Sequence, residues 1–246
     1  MNITFLYHSS FLVELSGCTL LFDWYGGPVP DYDRSKPLYV FASHHHGDHY
    51  APEIFAQLGM DNVWYVLANC IRLSAKRKAA LGIDDSHVFR LAAGRHLSLG
   101  GLDIQTYRST DAGVAFLVEV EGKTIFHAGD LHWWHWAEED AAWNQAMERD
   151  FKKECAKLQG KPVDVGFFVL DPRQEGEFWW GFDWWMRTME VKHAFPMHSW
   201  EDYTLVQTLR TLPCSAPYRD RVVEVSGKGQ VFSWEDCREE IGRAHV

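Results

Sequence analysis

The chain has no C-x-x-C pair, no basic-then-apolar leader at its start and no apolar run long enough to cross a bilayer. Its five cysteines, Cys18, Cys70, Cys155, Cys214 and Cys237, are scattered and odd in number, which argues against a disulfide framework or a cysteine zinc site. That pattern fits a reducing cytoplasm, so the expected location is cytoplasmic, with no membrane partner. Positive charge is scarce as well. Against 34 acids stand 24 lysines and arginines, a formal net charge of −10, which argues against a broad basic surface for nucleic acid. No linker, low-complexity segment or short-period repeat interrupts the chain, so residues 1–246 are expected to form one domain. With 46% hydrophobic residues a core forms without covalent staples.

What is present is concentrated in Ser43-His44-His45-His46-Gly47-Asp48-His49. The apolar run Leu38–Ala42 before it reads as a short buried strand. Ala51-Pro52-Glu53-Ile54 after it reads as a helix start with proline in the first turn. Histidines and an aspartate therefore occupy a strand-to-helix loop, where a rigid scaffold presents its chemistry. Imidazole and carboxylate suit zinc and its neighbours, and alternate residues of an extended loop point the same way. His44 and His46 can grip one ion while Asp48 and His49 turn toward a second.

Around this loop, residues 2–7, 10–16 and 18–24 read as an antiparallel meander ending at Asp23. A helix at 52–58 and a strand at 62–67 follow. Asn69 as N-cap and Gly82 as stop bracket a basic helix. Short strands are expected at 86–91, 96–99, 102–108, 113–120 and 123–127. In the second half, Trp143, Met147, Phe151, Cys155 and Leu158 form one apolar helical stripe. A strand over 163–170, a Trp-rich helix over 177–191, a strand over 194–197, a helix over 205–212 and strands at 221–225 and 230–234 complete the pattern. Most of the twelve tryptophans fall in two clusters just after candidate site loops, Trp133, Trp134, Trp136 and Trp143, and Trp179, Trp180, Trp184 and Trp185, with about half of the twelve expected in the core and the rest lining a pocket. Four further strands end in chemistry-bearing residues: Asp23, Ser109-Thr110-Asp111, Gly129-Asp130 and His198.

His44-x-His46-x-Asp48-His49, together with Ala128-Gly129-Asp130 and His198, resembles the signature of the metallo-β-lactamase fold superfamily. Tyr7-His8-Ser9-Ser10-Phe11 and Leu21-Phe22-Asp23 look like the branch holding ascorbate-6-phosphate lactonase and related uncharacterised metal-dependent hydrolases. The resemblance implies an α+β fold, a four-layer αββα sandwich with metal ions at one edge between two sheets. It implies His44 and His46 on a first ion, Asp48, His49 and His198 on a second, and Asp130 bridging. It implies zinc, one or two ions, with manganese or iron as substitutes.

One departure stands out. The family's further histidine, third ligand of the first ion, is replaced here by Ser109-Thr110-Asp111. Asp111 can serve as an oxygen ligand, or Thr110 can hold a ligating water, and either hardens the site toward manganese or iron. Asp23 is expected to hold a ligand imidazole from behind, His8 to lie near the site, and Arg173 either to grip an anionic substrate group or to form a surface salt bridge. His45 is expected to point away. The activity implied is metal-dependent hydrolysis of a small-molecule ester, lactone, amide or phosphoester, with Asp48 orienting the nucleophile or moving its proton. The alternative is a degenerate, non-catalytic metal-binding or scaffold protein of the same fold. A di-iron redox protein or a nuclease fits less well.

Overall fold

The computed structural model describes residues 1–234. Along them run β1 (Asn2–Tyr7), β2 (Ser10–Glu14), β3 (Thr19–Phe22), β4 (Leu38–Ala42), α1 (Ile54–Leu58), β5 (Val63–Ala68), α2 (Ala75–Leu81) and β6 (Val88–Leu91). Then come β7 (His96–Leu99), β8 (Leu102–Arg108), β9 (Val114–Val120), β10 (Lys123–His127), α3 (Ala141–Cys155), β11 (Pro162–Val169), α4 (Trp180–Thr188), β12 (Glu190–Met197), α5 (Thr204–Thr211) and β13 (Val231–Ser233). They build a seven-stranded sheet, β13-β1-β2-β3-β4-β5-β6, and a six-stranded sheet, β12-β11-β10-β9-β8-β7.

Side-chain alternation explains the layering. Phe11, Val13, Leu20, Phe22 and Phe41 face one way and join the main core, while Leu12, Leu21, Leu38 and Val40 face the other and pack with Ile54, Phe55 and Leu58 of α1. In β11 the neighbours Phe167 and Phe168 split in the same manner. Phe167 meets Phe11 of the first sheet at 4.1 Å between ring centroids. Phe168 meets Trp185 of α4 at 5.7 Å. Phe151 of α3 reaches Trp185 from the same outer side, at 5.4 Å. The layers are therefore helix, sheet, sheet, helix. Strands buried on both faces read as unbroken apolar runs, which is why β4 and β11 look so uniformly hydrophobic.

Strand direction places the site. β2 is antiparallel to both β1 and β3, and β3 is parallel to β4, so β1, β3 and β4 all run the same way. β9 is antiparallel to both β8 and β10, and β10, β11 and β12 are parallel. Each sheet therefore sends its functional loops from a single edge.

Several expectations shift. Ser74, not Asn69, caps α2: its Oγ accepts the Arg77 amide at 3.2 Å, and Gly82 ends the helix at φ 63°. The Trp-rich helix over 177–191 is shorter. A 3-10 turn, Pro172–Glu177, precedes α4, and β12 begins at Glu190, where it pairs with Pro162. No strand forms over 221–225, where Val222 makes only a single bridge to Ala194. Of the twelve tryptophans, only Trp24, Trp134 and Trp185 are buried among the described residues. Cys18, Cys70, Cys155 and Cys214 are free thiols, and Cys237 lies outside the described residues. Among the described residues no helix is long and apolar enough to cross a membrane.

Candidate metal centre

Loops from the ends of β1, β3, β4, β8, β10, β11 and β12 converge at one edge and bring together two groups of potential ligands. His44, His46, Asp111 and Asp130 form one, and His8, Asp48, His49 and His198 the other; within each, the ligand atoms lie within 4.8 Å of one another. Asp130 stands between them. Its Oδ2 is 3.6 Å from His44 Nε2, and its Oδ1 is 3.3 Å from His49 Nε2 and 3.6 Å from His198 Nε2. Asp111 Oδ2 lies 3.3 Å from His46 Nδ1. Asp48 Oδ2 lies 3.5 Å from His8 Nε2 and 3.9 Å from His198 Nε2.

The tautomers follow from what stands behind each ring. An ionised carboxylate only accepts, so His49 Nδ1–H donates to Asp23 Oδ2 at 2.7 Å. Ser43 Oγ–H is spent on the same carboxylate at 2.6 Å, so Ser43 Oγ accepts from His44 Nδ1–H at 3.0 Å. His198 Nδ1–H donates to Asp171 Oδ2 at 2.8 Å. In each neutral ring the Nε2 lone pair then faces the centre, the arrangement a metal-ligating histidine requires.

The front of the site is polar and unpaired within the protein. His8 Nε2, His44 Nε2, His49 Nε2, His198 Nε2 and Asp130 Oδ1 are buried without a hydrogen-bond partner among the described residues. Such atoms are costly unless something pairs with them. Burial, then His49, push the His44 imidazolium down to about 2. Burial also pushes His8 and His198 down and the Asp130 carboxyl up. Burial opposes charge on His49, but Asp130 and then Asp23 outweigh it and hold that ring up at about 9. Imidazoles converging among carboxylates that favour a positive charge at their centre, strongly enough to hold a proton on His49, fit a divalent cation that would take that proton's place.

Three of the described non-glycine residues with positive φ stand at the site. His8, Asp23 and His198 have φ of 49°, 44° and 66°, a region non-glycine residues rarely enter. The His198 amide donates to the His8 carbonyl at 3.0 Å, stitching the two sheets together beneath the site.

The remaining expected residues take distinct places. Thr110 lines the cavity over the site, and its Oγ1 donates to the His132 carbonyl at 2.6 Å and accepts the His132 amide at 3.0 Å, tying the β8–β9 loop to the loop after β10. Arg173 grips Asp171 through Nε and Nη2, and lies between the faces of Trp136 and Trp200. It also lines the cavity over the site, about 330 Å³, whose apolar wall is Trp134, Trp136, Trp143 and Met147. His45 is exposed, and neither ligand group includes it. His127 is satisfied on both nitrogens, by the Ser9 carbonyl at 2.9 Å and the Gly129 amide at 3.1 Å.

Two residues escaped the sequence reading. Asp171 holds His198, and Ser43 relays between His44 and Asp23. Asp171 had a signal, an acid at the end of a buried strand; Ser43, beside the histidine run, had none.

The comparisons agree with this geometry. The family model for the beta-lactamase superfamily domain matches residues 2–144. A UPF0173 metal-dependent hydrolase from Desulforamulus reducens is 33% identical over 141 residues, 53% of this chain and 62% of that protein. The chain thus spans less than two thirds of that relative's length. A second protein of that name, from Pyrococcus furiosus, is 27% identical over 219 residues, 80% of this chain and 84% of its own. Among solved structures, Igni18, a metallo hydrolase from Ignicoccus hospitalis, shares the fold with a TM-score of 0.60 at 14% identity, covering 95% of this chain and 99% of its own. A histidine and aspartate signature, a two-sheet sandwich with the ligand loops at one edge, and a model match over more than half the chain lead to one assignment: the chain belongs to the β-lactamase superfamily.

Proposed function

We propose that this protein is a metal-dependent hydrolase acting on a small-molecule ester, lactone, amide or phosphoester. The observation that carries the reading is the set of five buried, unpaired ligand atoms on His8, His44, His49, His198 and Asp130. His44, His46 and Asp111 would hold one ion, Asp48, His49 and His198 the other, with Asp130 between them. Zinc suits the imidazoles, and manganese or iron suits the oxygen-richer first group. When bound, such ions supply a Lewis acid and a water acidic enough to react near neutral pH.

The chain's own residues do the rest. The His8 imidazole beside Asp48 holds that carboxyl well below the usual carboxylate range. Ionised, half-exposed and lining the cavity, Asp48 orients the attacking water or moves its proton. Trp134, Trp136, Trp143 and Met147 exclude water and receive a compact apolar part of the substrate. The net charge of −10 disfavours nucleic acid as substrate, and the free thiols favour a cytoplasmic location.

The test combines metal content with turnover on a panel of ester, lactone, amide and phosphodiester substrates. His46→Ala or Asp130→Ala should lower bound metal and abolish turnover while circular dichroism stays unchanged. His45→Ala should retain both. Variants keeping full metal and full rate would overturn the ligand set. The second reading, a non-catalytic metal-binding protein, is favoured by the Ser109–Asp111 corner without histidine; bound metal with no turnover across the panel would select it.

A further inference from the structure

The two ligand groups differ in construction. In one, His49 and His198 are buried, and each is backed on Nδ1 by a buried carboxylate, Asp23 and Asp171. His8 sits with them, its ring 4.0 Å from that of His198 and its Nε2 unpaired and buried. In the other, His44 is backed by a hydroxyl, and the side chains of His46 and Asp111 are 43% and 45% exposed. Carboxylate-backed imidazoles are the more basic ligands, and burial holds them in place. Exposed side chains must be ordered by the ion itself, at a cost in conformational entropy.

His8 is not built like a structural histidine. His127 shows what one looks like here, with both ring nitrogens bonded to main chain. The front nitrogen of His8 faces Asp48, while its backbone is held at φ 49° and its carbonyl is fixed by the His198 amide. The positive φ belongs to the two-residue turn His8-Ser9 between β1 and β2, where Tyr7 pairs with Ser10. What calls for a ligand is the buried front nitrogen, which makes no hydrogen bond and faces the same centre as those of His49 and His198.

We propose that His8 is a metal ligand, and that it moves the third imidazole of the pair from the His44–His46 ion to the His49–His198 ion. The protein then holds its two ions unequally. One is captured tightly by His8, Asp48, His49 and His198. The other is held loosely by His44, His46, Asp111 and Asp130, and exchanges with free divalent cation. This rests on the metal-centre reading above but makes a separate demand on the order of filling.

Calorimetric titration of the metal-stripped protein with zinc, with bound metal measured after dialysis, tests the order. The wild type should show two binding steps separated by tenfold or more in affinity, with one ion surviving dialysis. His8→Gln should weaken the tight step by more than the about 10–100-fold that loss of a residue behind a ligand costs, and leave the weak step in place. Asp111→Ala should remove the weak step only. Asp111→His should tighten it, a gain that misfolding cannot produce. Two equal steps, or a His8→Gln protein with both affinities intact, would overturn the proposal while leaving the hydrolase reading standing. A wild type that binds no ion would sink both.

Discussion

At the scale of single residues, the centre depends as much on what stands behind the imidazoles as on the imidazoles themselves. Asp171 and Asp23 fix the tautomers of His198 and His49. Asp171→Asn keeps the shape but removes the charge. It should weaken metal binding by about 10–100-fold with little change in fold, read by competition with a chelating dye. Gly113 plays a different part. It sits at φ 72°, and a Cβ there would lie 1.9 Å from the Ser43 carbonyl oxygen and 2.7 Å from His44 Cβ. Gly113→Ala therefore combines backbone strain with a collision against the ligand loop. It should cost about 1–3 kcal/mol in urea unfolding and lower metal occupancy as well, because His44 must shift. A variant with unchanged unfolding would show that the loop yields without cost.

At the scale of elements, the apolar stripe of α3 came from spacing alone, and its buried members Phe151 and Cys155 are where the stripe predicts. Phe151 packs against Trp185 and also approaches His132 and Trp133. Phe151→Ala should destabilise the protein by about 3–5 kcal/mol, measured by denaturant unfolding. Metal affinity should change far less, since no ligand lies on α3. Helix ends were harder to read. Asn69 and Ser74 are both good capping residues, and only the structure shows Ser74 receiving the Arg77 amide. The Trp-rich helix was expected to run to residue 191, yet β12 begins at Glu190, which pairs with Pro162 of β11, so the strand expected over 194–197 starts four residues earlier. Sheet pairing sets the boundary there, because β11 already offers its edge.

At the scale of the molecule, the site joins two sheets, so ions bound there tie together halves that otherwise meet through the apolar core. A ligand that binds only the folded state stabilises it by mass action, about 4 kcal/mol at a thousandfold excess over Kd. For a chain of this size each kcal/mol moves the melting midpoint by about 2–4 °C. Metal removal by a chelator should therefore lower the midpoint by about 10 °C, and zinc should restore it, as scanning calorimetry would show. An unchanged midpoint would mean that the ions contribute nothing to joining the sheets.

The sequence by itself determined the supply of chemistry, imidazoles and carboxylates at the ends of apolar strands, because ligand type and side-chain period are local properties; the four layers and the ligand set were legible only through the family resemblance. Where Asp171, Ser43 and Thr110 bond, that Asp111 comes to His46, and that His8 lies against His198 were decided only by tertiary structure. These contacts join residues far apart in the chain or on different loops. They arise where strand directions in two sheets bring seven loop ends to one edge, and no spacing within the chain encodes that meeting.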